Sequence, residues 1–409
     1  MTNKTLIVIG GGAAGFFCAI NAARIHKGLK VILLEKHNKL LSKVKISGGG
    51  RCNVTHDCSS VSELVKHYPR GTNFLKKAFQ KFYTKDTFNW FEERNVELKI
   101  ESDGRVFPVT DDSQTIINCF LSEANKYGVE ILMNAEVKSI MNDESSNMPF
   151  QITLRNEKKL QANYVCIACG GFPKKEHFDW LIQLGHSIES PVPSLFTFNI
   201  PQNKIVDLMG VTIQDVKVKI NNTKLEQRGP LLITHWGFSG PAILKLSAWG
   251  AVTLSDMKYE FTANVNWLPD YNENSLREKF QQLRFEIASQ KMMNRNPFAL
   301  PGRLWEYFLQ ESEIKSETRW ADLPAKEQNK LIKILTGQLF NIKGKTTFKE
   351  EFVTAGGINL SEIDPASMQS KLVNGLYFAG EIMNVDGVTG GFNFQNAWTS
   401  GFIAAELNQ

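Results

Sequence analysis

The chain has 409 residues, 42% of them hydrophobic and 22% charged, and 47 basic against 42 acidic residues give a net charge of +5. This composition excludes a disordered or fibrous chain, and no apolar run reaches the ~18 residues of a membrane span. The apolar run before the first glycines is too short for a secretory signal, so we expect a soluble, cytoplasmic protein of two or three domains.

The first predicted elements surround a glycine-rich turn, IGGGAAG. A short apolar strand (Leu6–Ile9) leads into glycines spaced G-x-G-x-x-G, and a helix is predicted from Phe16 to Ile25. The glycines permit a tight turn, close approach of a pyrophosphate and packing of helix on strand, while the helix N-terminus attracts the anion. The residues predicted to hold the phosphates are Gly10, Gly12, Ala13, Ala14 and Gly15.

A second strand, Lys30–Leu34, ends at Glu35 and Lys36, which we also assign to the nucleotide. A carboxylate at the end of this strand is expected to accept hydrogen bonds from an adenosine ribose and to repel a 2′-phosphate. This half of the motif therefore predicts FAD or NAD as the ligand, and not NADP.

A second glycine-rich segment, ISGGGRCN, follows this strand. Consecutive unhindered N–H groups beside cations form an anion-binding concavity, and adjacent glycines are conformationally costly without a close backbone contact. We expect the segment to cover FAD and to present its last three residues near the isoalloxazine ring; a surface loop without a ligand is the alternative. The residues assigned to the cofactor here are Lys43, Ser47, Gly48, Gly49, Arg51, Cys52 and Asn53.

Basic and aromatic residues are interleaved in the next stretch. The pattern predicts an amphipathic helix with a solvated basic face, and an RNA-contacting patch is the less favoured interpretation. The basic residues of this stretch are Lys66, Arg70, Lys76, Lys77, Lys81 and Lys85.

The six cysteines lack regular spacing and are expected to be reduced thiols. Cys166 and Cys169 form a C-x-x-C pair, but they lie in a buried strand pattern that points them to opposite faces, which favours packing. Cys52, His56 and Cys58 lack the further ligand that a tetrahedral metal site requires. No metal site is predicted.

The C-terminal region favours FAD over NAD. It reads as a strand (Leu376–Ala379), a glycine-acid pair, a loop and a helix, the ending typical of two-dinucleotide-fold flavoproteins, in which the helix N-terminus faces the flavin. No second G-x-G-x-x-G follows a strand, so NAD(P)H is expected to dock only transiently. The remaining cofactor-binding predictions are Val137, Ala168, Cys169, Gly170, Gly380, Glu381, Gly391, Phe392, Asn393 and Phe394.

The two ends of this nucleotide fold are far apart in sequence, which predicts a discontinuous domain. The fold class is α/β: a Rossmann-like FAD-binding domain of residues 1–193 and 354–409 with an inserted β domain (194–273 and 339–353) that carries a helical subdomain (274–338). Within the insertion, THWGFSGP joins a strand to a helix at Pro241. His235 in this motif is a candidate cleft residue, whereas His186 is expected to be structural and Arg105 to form a surface pair.

Several motifs together resemble the BaiN/RdsA-like family of NAD(P)/FAD-dependent oxidoreductases, the YhiN-type flavoproteins. They are IGGGAAG, SGGGRCN, DGRVFP, ACGG, THWGFSGP, TAGGI and TGGFNFQ, and they span essentially the whole chain. The chain departs from the usual pattern in Leu41-Ser42 before Lys43, in His56 where the family usually has asparagine, and in Cys169 where it has threonine. The change at His56 affects the edge of the expected active site.

The resemblance implies a reductase in which NAD(P)H reduces FAD and a hydride then passes to a conjugated carbon–carbon double bond. Cys52 is the first candidate for the general acid, with His56 and His235 behind it. Arg51 and the helix that begins near Gly391 are expected to stabilise negative charge on the reduced flavin.

The resemblance suggests three substrates: uridine in large-subunit ribosomal RNA, reduced to dihydrouridine; a bile-acid enone; or a small amine, which would be oxidised. We slightly favour RNA, because the stretch around Lys76 and the lysines at 343, 345 and 349 suit a polyanion. A flavin-containing RNA-binding or redox-sensing protein without turnover is the alternative from another class.

Overall fold

The computed structural model describes residues 4–347 and 353–407. Residues 4–194 together with 353–407 form one unit, and Leu195–Thr347 form the other. The strands are β1 (Thr5–Ile9), β2 (Lys30–Leu34), β3 (Thr55–His56), β4 (Leu98–Ile100), β5 (Arg105–Pro108), β6 (Glu130–Leu132), β7 (Val137–Asn142), β8 (Phe150–Leu154), β9 (Lys159–Ala162), β10 (Tyr164–Ile167), β11 (Ile188–Ser194), β12 (Thr197–Asn199), β13 (Thr212–Ile220), β14 (Glu226–Thr234), β15 (Gly237–Ser239), β16 (Glu260–Asn266), β17 (Gln338–Lys343), β18 (Lys345–Thr346), β19 (Val353–Ile358) and β20 (Leu376–Phe378).

The α-helices are α1 (Ala13–Ile25), α2 (Ser42–Gly50), α3 (Val61–Leu64), α4 (Thr72–Ala78), α5 (Thr84–Glu92), α6 (Ser113–Lys126), α7 (Asp179–Ile182), α8 (Pro241–Trp249), α9 (Ala251–Asp256), α10 (Glu273–Glu286), α11 (Gly302–Glu311), α12 (Ala325–Gly337) and α13 (Phe392–Ala405). No helix within the described ranges has both the length and the hydropathy needed to cross a bilayer.

The first unit is built on a five-stranded parallel sheet in the order β20-β10-β1-β2-β6. Every residue of β1 is buried, as expected for an apolar run in a parallel sheet whose two faces are both covered. The sheet confirms the predicted fold class of an α/β, Rossmann-like protein. The glycine turn between β1 and α1 lies at the carboxyl edge of this sheet, where α/β folds bind nucleotides.

Small residues bring α13 against α1. A Cβ at Gly401 of α13 would lie 2.7 Å from the carbonyl oxygen of Ala14, and a Cβ at Gly380 would lie 2.9 Å from the Cβ of the same alanine. The C-terminal segment therefore packs on the first turn of α1, so the two ends of the sequence build one surface.

The stretch between residues 61 and 92 differs from the prediction. It is not one amphipathic helix: a 3-10 turn and Pro69 separate α3 from α4, and a further turn separates α4 from α5. Proline cannot continue the preceding helix, and the Gly71 that follows has φ of +82° at the start of α4. Arg70, which we expected on a solvated face, pairs with the buried Asp386.

Three small antiparallel sheets complete the first unit: β3-β5-β4, β7-β8-β9 and the pair β11-β19. The pair β11-β19 joins the end of one sequence segment of this unit to the beginning of the other.

The second unit contains a seven-stranded antiparallel sheet in the order β17-β16-β13-β14-β15-β12-β18. Alternate residues of β13 are buried, as the alternating sequence predicts for a sheet with one core face. Helices α10, α11 and α12 contribute their apolar faces to the same core. α8 begins at Pro241 with Gly240 at its N-cap, as expected from THWGFSGP.

Candidate functional site

The first glycine turn has the geometry that close backbone approach requires. A Cβ at Gly10, where φ is +117°, would lie 2.4 Å from the Ala168 carbonyl oxygen, and one at Gly15 would lie 1.9 Å from the Gly10 carbonyl oxygen. Gly12 faces open space and is the N-cap of α1, with no side chain capping the helix. The first N–H groups of α1, including those of Ala13 and Ala14, thus lack a side-chain cap at the end of the helix that attracts anions.

Glu35 lies beside this turn. One carboxylate oxygen accepts a hydrogen bond from Gly11 N–H (2.9 Å) and the other from His37 N–H (2.9 Å). The Glu35 carbonyl accepts from Ala135 N–H (2.8 Å), which brings the start of β7 at Val137 close to the end of β2. The predicted ribose-binding acid, Glu35, therefore lies near the segment that carries Val137, another predicted cofactor-binding residue.

The segment after β10 also lies beside the first glycine turn. The Ala168 N–H bonds the Ile9 carbonyl (2.8 Å), and Gly170 has φ of +76° with open space where its Cβ would stand. Cys169 is half-buried, and burial raises the pKa of its thiol to about 12. A backbone hydrogen bond and the charge of Lys36 oppose this shift, whereas the charge of Glu35 adds to it. All six cysteines are free thiols.

The second glycine segment is a helical turn that ends in a left-handed reversal. α2 is regular as far as Ile46, after which Ser47 is extended (ψ 150°) and Gly48 and Gly49 are left-handed (φ +59° and +71°). The Ser47 hydroxyl donates to the Val44 carbonyl (3.0 Å), which terminates the helical turn. Only glycine adopts consecutive left-handed residues at low cost, and this accounts for the run of glycines.

Arg51 is held by acids. Its guanidinium donates to Glu101 (2.6 Å) and Asp111 (3.4 Å) and stacks on the ring of Phe107 at 3.9 Å. Hydrogen bonding to Glu101 raises the pKa of Arg51 above its usual value. The predicted flavin-stabilising cation thus also fixes the position of the loop that carries it.

Cys52 is fully buried, with a left-handed backbone (φ +63°). Burial raises the pKa of its thiol to about 12, and a hydrogen bond with Ser47 opposes the shift. The thiol is therefore protonated at neutral pH, and in this conformation the surrounding protein separates it from any substrate.

Asn53 joins the glycine segment to the N-terminus of α13. With its amide oriented to satisfy both ends, the nitrogen donates to the carbonyls of Thr55 (2.9 Å) and Val106 (3.2 Å), and the oxygen accepts from Gly391 N–H (3.0 Å). A Cβ at Gly391, where φ is +93°, would lie 2.5 Å from the Thr55 carbonyl oxygen. Asn53 and Gly391 therefore fix the first turn of α13 against β3.

Glu381 and Lys43 form an ion pair of 2.8 Å. The other Glu381 oxygen accepts from the backbone N–H of Thr354 (2.8 Å). The hydroxyl of Thr354 is buried with no hydrogen-bond partner, and a Cβ at Gly171 would lie 2.8 Å from it. Sequence reasoning predicted Lys43 and Glu381 but missed Thr354, although the TAGGI motif contains it.

Aromatic rings gather at the N-terminus of α13. Phe392 stacks with His56 (centroids 4.7 Å apart) and with His67 (4.2 Å), and His56 Nδ1 lies 3.1 Å from the Gly390 carbonyl oxygen. Since a carbonyl only accepts, this contact places a proton on Nδ1. Asn393 bonds the backbone of Gly387 through both amide atoms (2.8 and 2.9 Å), whereas the ring of Phe394, in the first turn of α13, stacks with that of Trp398 (5.5 Å).

A buried ion pair, which the sequence did not predict, supports the loop before α13. Arg70 donates two hydrogen bonds to the Asp386 carboxylate, which is 0% exposed and also accepts from the Ser194 hydroxyl (2.8 Å). Burial raises the pKa of Asp386, and Arg70 opposes the shift. The His67 carbonyl accepts from Val388 N–H (2.9 Å), so a backbone hydrogen bond as well as the ion pair joins this segment to the loop before α13.

Of the remaining candidates, His235 and His186 lie elsewhere, whereas Arg105 lies opposite His56 in the pairing of β3 with β5. His235 belongs to the second unit, where its ring contacts Trp236 (centroids 3.9 Å apart). His186 is buried between Glu362 (2.9 Å) and the Ser370 hydroxyl (3.0 Å), as expected for a structural histidine. Arg105 pairs with Asp103 and Glu101. No cluster of three or more potential metal ligands is present in residues 4–347 and 353–407.

The first unit fits a dinucleotide in three respects. The N-terminus of α1 has no side-chain cap, and glycines of the turns around it pack closely or leave open space. Three buried side-chain oxygens described in this unit lack partners: one belongs to Asn142 at the end of β7, and the other two lie in β19 and α13. These two are the Thr354 hydroxyl and the side-chain oxygen of Asn396, which lies one turn before Ser400 on α13; Ser400 accepts from Gly380 N–H (2.8 Å). Buried polar groups without partners are rare and indicate a missing ligand or water.

Comparison with known proteins gives one family over nearly the whole chain. Residues 4–407 match the family described as "HI0933-like protein Rossmann domain". The chain is 30% identical over 410 residues to the "Ribosomal RNA dihydrouridine synthase" of Escherichia coli (strain K12), covering 98% of this chain and 96% of that protein. It is 26% identical over 406 residues to the "3-dehydro-bile acid delta(4,6)-reductase" of Clostridium scindens, covering 97% of each.

Solved structures share the fold at lower sequence identity. The 3-ketosteroid delta1-dehydrogenase of Sterolibacterium denitrificans aligns with a TM-score of 0.51 at 12% identity, covering 98% of this chain and 99% of that one. The 3-ketosteroid-delta4-(5alpha)-dehydrogenase of Rhodococcus jostii RHA1 aligns with a TM-score of 0.50 at 12% identity, covering 100% of this chain and 98% of that one. The family resemblance predicted from the motifs is confirmed.

Proposed function

The chain belongs to the HI0933-like family of Rossmann-domain proteins, and from this premise we propose that it is an FAD-dependent oxidoreductase that reduces a conjugated carbon–carbon double bond. The observation that carries the proposal is that one unit holds two helix N-termini without a side-chain cap, those of α1 and α13, together with the buried, unpartnered oxygens of Thr354 and Asn396. The FAD-binding domain would comprise residues 1–193 and 354–409, with the insertion outside it.

The residues of the first unit suit the successive parts of FAD. Glu35 would bind the adenosine ribose, Gly12 and the first N–H groups of α1 the pyrophosphate, and Glu381 the ribityl hydroxyls. Lys43 would hold Glu381 in place, since the two are 2.8 Å apart. Thr354 would supply a hydroxyl to the same region of the ligand.

When bound, FAD would supply hydride transfer between a reductant and the substrate double bond. The N-terminus of α13, fixed by Asn53, would provide a positive dipole end next to the flavin. Arg51 would add a positive charge at the glycine segment, although Glu101 shares it. We propose NADH or NADPH as a transient reductant.

We propose His56 as the proton donor in this chain. Its imidazole is half-exposed and stacks on Phe392 at the first turn of α13, whereas Cys52 is fully buried. His56 lies opposite Arg105 in the pairing of β3 with β5, and Arg105 forms an ion pair with Asp103 (2.7 Å). Cys52 is the second candidate, and His235, in the other unit, the third.

Uridine in ribosomal RNA is the substrate that we propose first. Two relatives with 28% and 30% identity are named for dihydrouridine synthesis in ribosomal RNA, and both align along nearly the whole chain. The bile-acid reductase at 26% identity supports a second candidate, a small-molecule enone. Both substrates contain a carbon–carbon double bond conjugated with a carbonyl group. A flavin-containing RNA-binding protein without turnover is the third possibility.

The test reduces the purified holoprotein anaerobically with NADH or NADPH and then adds either deproteinised large-subunit ribosomal RNA or a steroid enone. We expect flavin reoxidation and dihydrouridine, detected by mass spectrometry of RNA nucleosides, with the RNA. Reoxidation by the enone alone would replace the RNA assignment with a small-molecule one. Failure of both acceptors, with intact RNA binding, would favour the non-catalytic alternative. His56→Asn should slow reoxidation while leaving flavin reduction unchanged.

A further inference from the structure

The excess of basic over acidic residues in the chain comes from the second unit. Leu195–Thr347 contain 20 basic and 15 acidic residues, whereas the rest of the chain contains 27 of each. The net charge of +5 is therefore carried entirely by the insertion. Because positive charge is the sequence-independent basis of nucleic-acid binding, this partition identifies the unit in which a polyanion is attracted.

Within that unit most of the excess charge lies in one segment. Residues 277–303, which include most of α10 and the chain up to the start of α11, contain six basic and two acidic residues, a net charge of +4. Two of these cations form ion pairs with acids, Lys279 with Glu286 (3.7 Å) and Lys291 with Glu317 (2.5 Å). Arg295 is exposed.

The fold brings a further cation to this segment. Lys291 and Arg319 form an antiparallel β-bridge, and Met292 N–H bonds the Thr318 carbonyl (3.0 Å). Residues 288–292 therefore run beside residues 318–321. This pairing places the exposed Arg319 next to the basic segment, although the two are far apart in sequence.

The same segment presents an aromatic ring to solvent. Phe285, in the last turn of α10, is 85% exposed, the highest value among the large hydrophobic residues of the described chain. A phenylalanine on the surface does not contribute to the core, in which its neighbours Leu283 and Phe280 are buried. Exposed aromatic rings beside cations are the feature by which proteins stack unpaired bases and bind the backbone that carries them.

We propose that single-stranded RNA binds the surface formed by Phe285, Lys291, Arg295 and Arg319, with a base stacked on Phe285 and phosphates on the arginines. This surface rests on the RNA substrate of the proposed function and deepens it, because it locates RNA binding on the insertion. It also replaces the location expected from sequence, the basic stretch around Lys76. The sequence also suggested that the lysines at 343, 345 and 349 contact RNA. Of these, Lys345 lies over the Tyr259 ring (4.8 Å), and Lys349 is outside the described residues.

The experiment measures binding of deproteinised large-subunit ribosomal RNA to the full-length holoprotein at several salt concentrations. Phe285→Ala should weaken binding about fivefold or more without changing the salt dependence, because stacking involves no counterion release. Leu339→Ala is the matched control, since Leu339 is also an exposed apolar residue of this unit (59%), and it should bind like the wild type.

The charge contribution is tested with two double variants that each remove two cations. Arg295→Gln/Arg319→Gln should reduce the slope of log affinity against log salt by about 1.4, at ~0.7 for each phosphate contact to a single strand. Lys76→Gln/Lys77→Gln should leave the slope unchanged, although both of these lysines are exposed. A slope lowered only by the second double variant would return the RNA site to the first unit.

The outcomes separate this inference from the proposed function. If the wild type binds RNA and forms dihydrouridine while Phe285→Ala and Arg295→Gln/Arg319→Gln behave like it, the surface is wrong and the function stands. If the wild type neither binds RNA nor forms dihydrouridine, the RNA function and the surface fail together. If Phe285→Ala alters only the sedimentation of the protein, Phe285 is a protein contact and the surface is overturned.

Discussion

Replacing Arg70 with methionine tests whether the buried ion pair supports the loop before α13. Asp386 is 0% exposed, and in the wild type its carboxylate accepts two hydrogen bonds from Arg70 and one from Ser194. Removing the cation leaves a buried charge with one hydrogen bond. Removal of one partner from such a pair costs about 3–5 kcal/mol, and the remaining bond from Ser194 places the expected loss near 3 kcal/mol.

The assay is thermal release of flavin from the holoprotein, followed by flavin fluorescence, because the proposed FAD site belongs to the same unit. A loss of about 3 kcal/mol corresponds to a fall of about 6–12 °C in the melting temperature of a domain of this size. The control is Lys81→Met, which breaks the exposed pair with Glu406 and should cost less than about 1 kcal/mol. A melting temperature of Arg70→Met within about 1 °C of the control would refute the reasoning.

The pH dependence of Arg70→Met gives a second readout of the same carboxyl. Burial already raises the pKa of Asp386, and loss of the cation raises it further. The folded state then holds a proton that the unfolded chain releases near pH 4, so the variant should regain stability as the pH falls from 7. Asp386→Asn on the Arg70→Met background should abolish this gain. A variant whose stability falls with pH in parallel with the wild type would contradict the assignment.

Three further predictions concern the same unit. Burial lowers the pKa of His186, so the folded state resists the proton that the unfolded chain accepts. The free energy of unfolding of the wild type should therefore fall as the pH drops below ~6.5, by at most about 1.4 kcal/mol per pH unit from this one group. Urea titrations of His186→Asn should lack this pH-dependent component. Gly15→Ala should yield protein without bound flavin, whereas Gly302→Ala, where a Cβ meets nothing within 4 Å, should retain it; equal flavin-to-protein ratios would count against the tight first turn. Lys43→Met should weaken FAD binding up to about fivefold, measured by flavin fluorescence titration of the apoprotein, because it breaks the ion pair with Glu381. The control Lys45→Met should not change the affinity. Identical affinities of the two variants would show that the ion pair does not contribute to FAD binding.

The elements that local pattern dictates could be predicted from sequence. β2 begins and ends at the predicted residues, and β1 begins one residue earlier than predicted. α1 begins at Ala13 instead of Phe16, because Gly12 is the N-cap and Ala13, Ala14 and Gly15 already belong to the first helical turn. The parallel sheet follows from these apolar runs, since they are too hydrophobic for a strand with one solvated face.

The interactions that connect distant segments could not be predicted. Arg70 has the same local context as its solvated lysine neighbours, and only the fold brings it to the buried Asp386. The glycine segment predicts that Cys52 is presented near the isoalloxazine ring, yet after the reversal at Ser47 its thiol is fully buried. The pairing of Lys291 with Arg319 depends on how two segments of the insertion run beside each other, which periodicity does not encode.

The central claim is that the first unit binds one FAD per chain, and the most direct measurement is the flavin content of the purified, full-length protein. Heat denaturation followed by chromatography of the released cofactor should give FAD, and not FMN, at about one equivalent per chain, as a single dinucleotide fold binds one dinucleotide. Protein that carries no flavin, and that binds none when FAD is added to the folded apoprotein, would contradict the account.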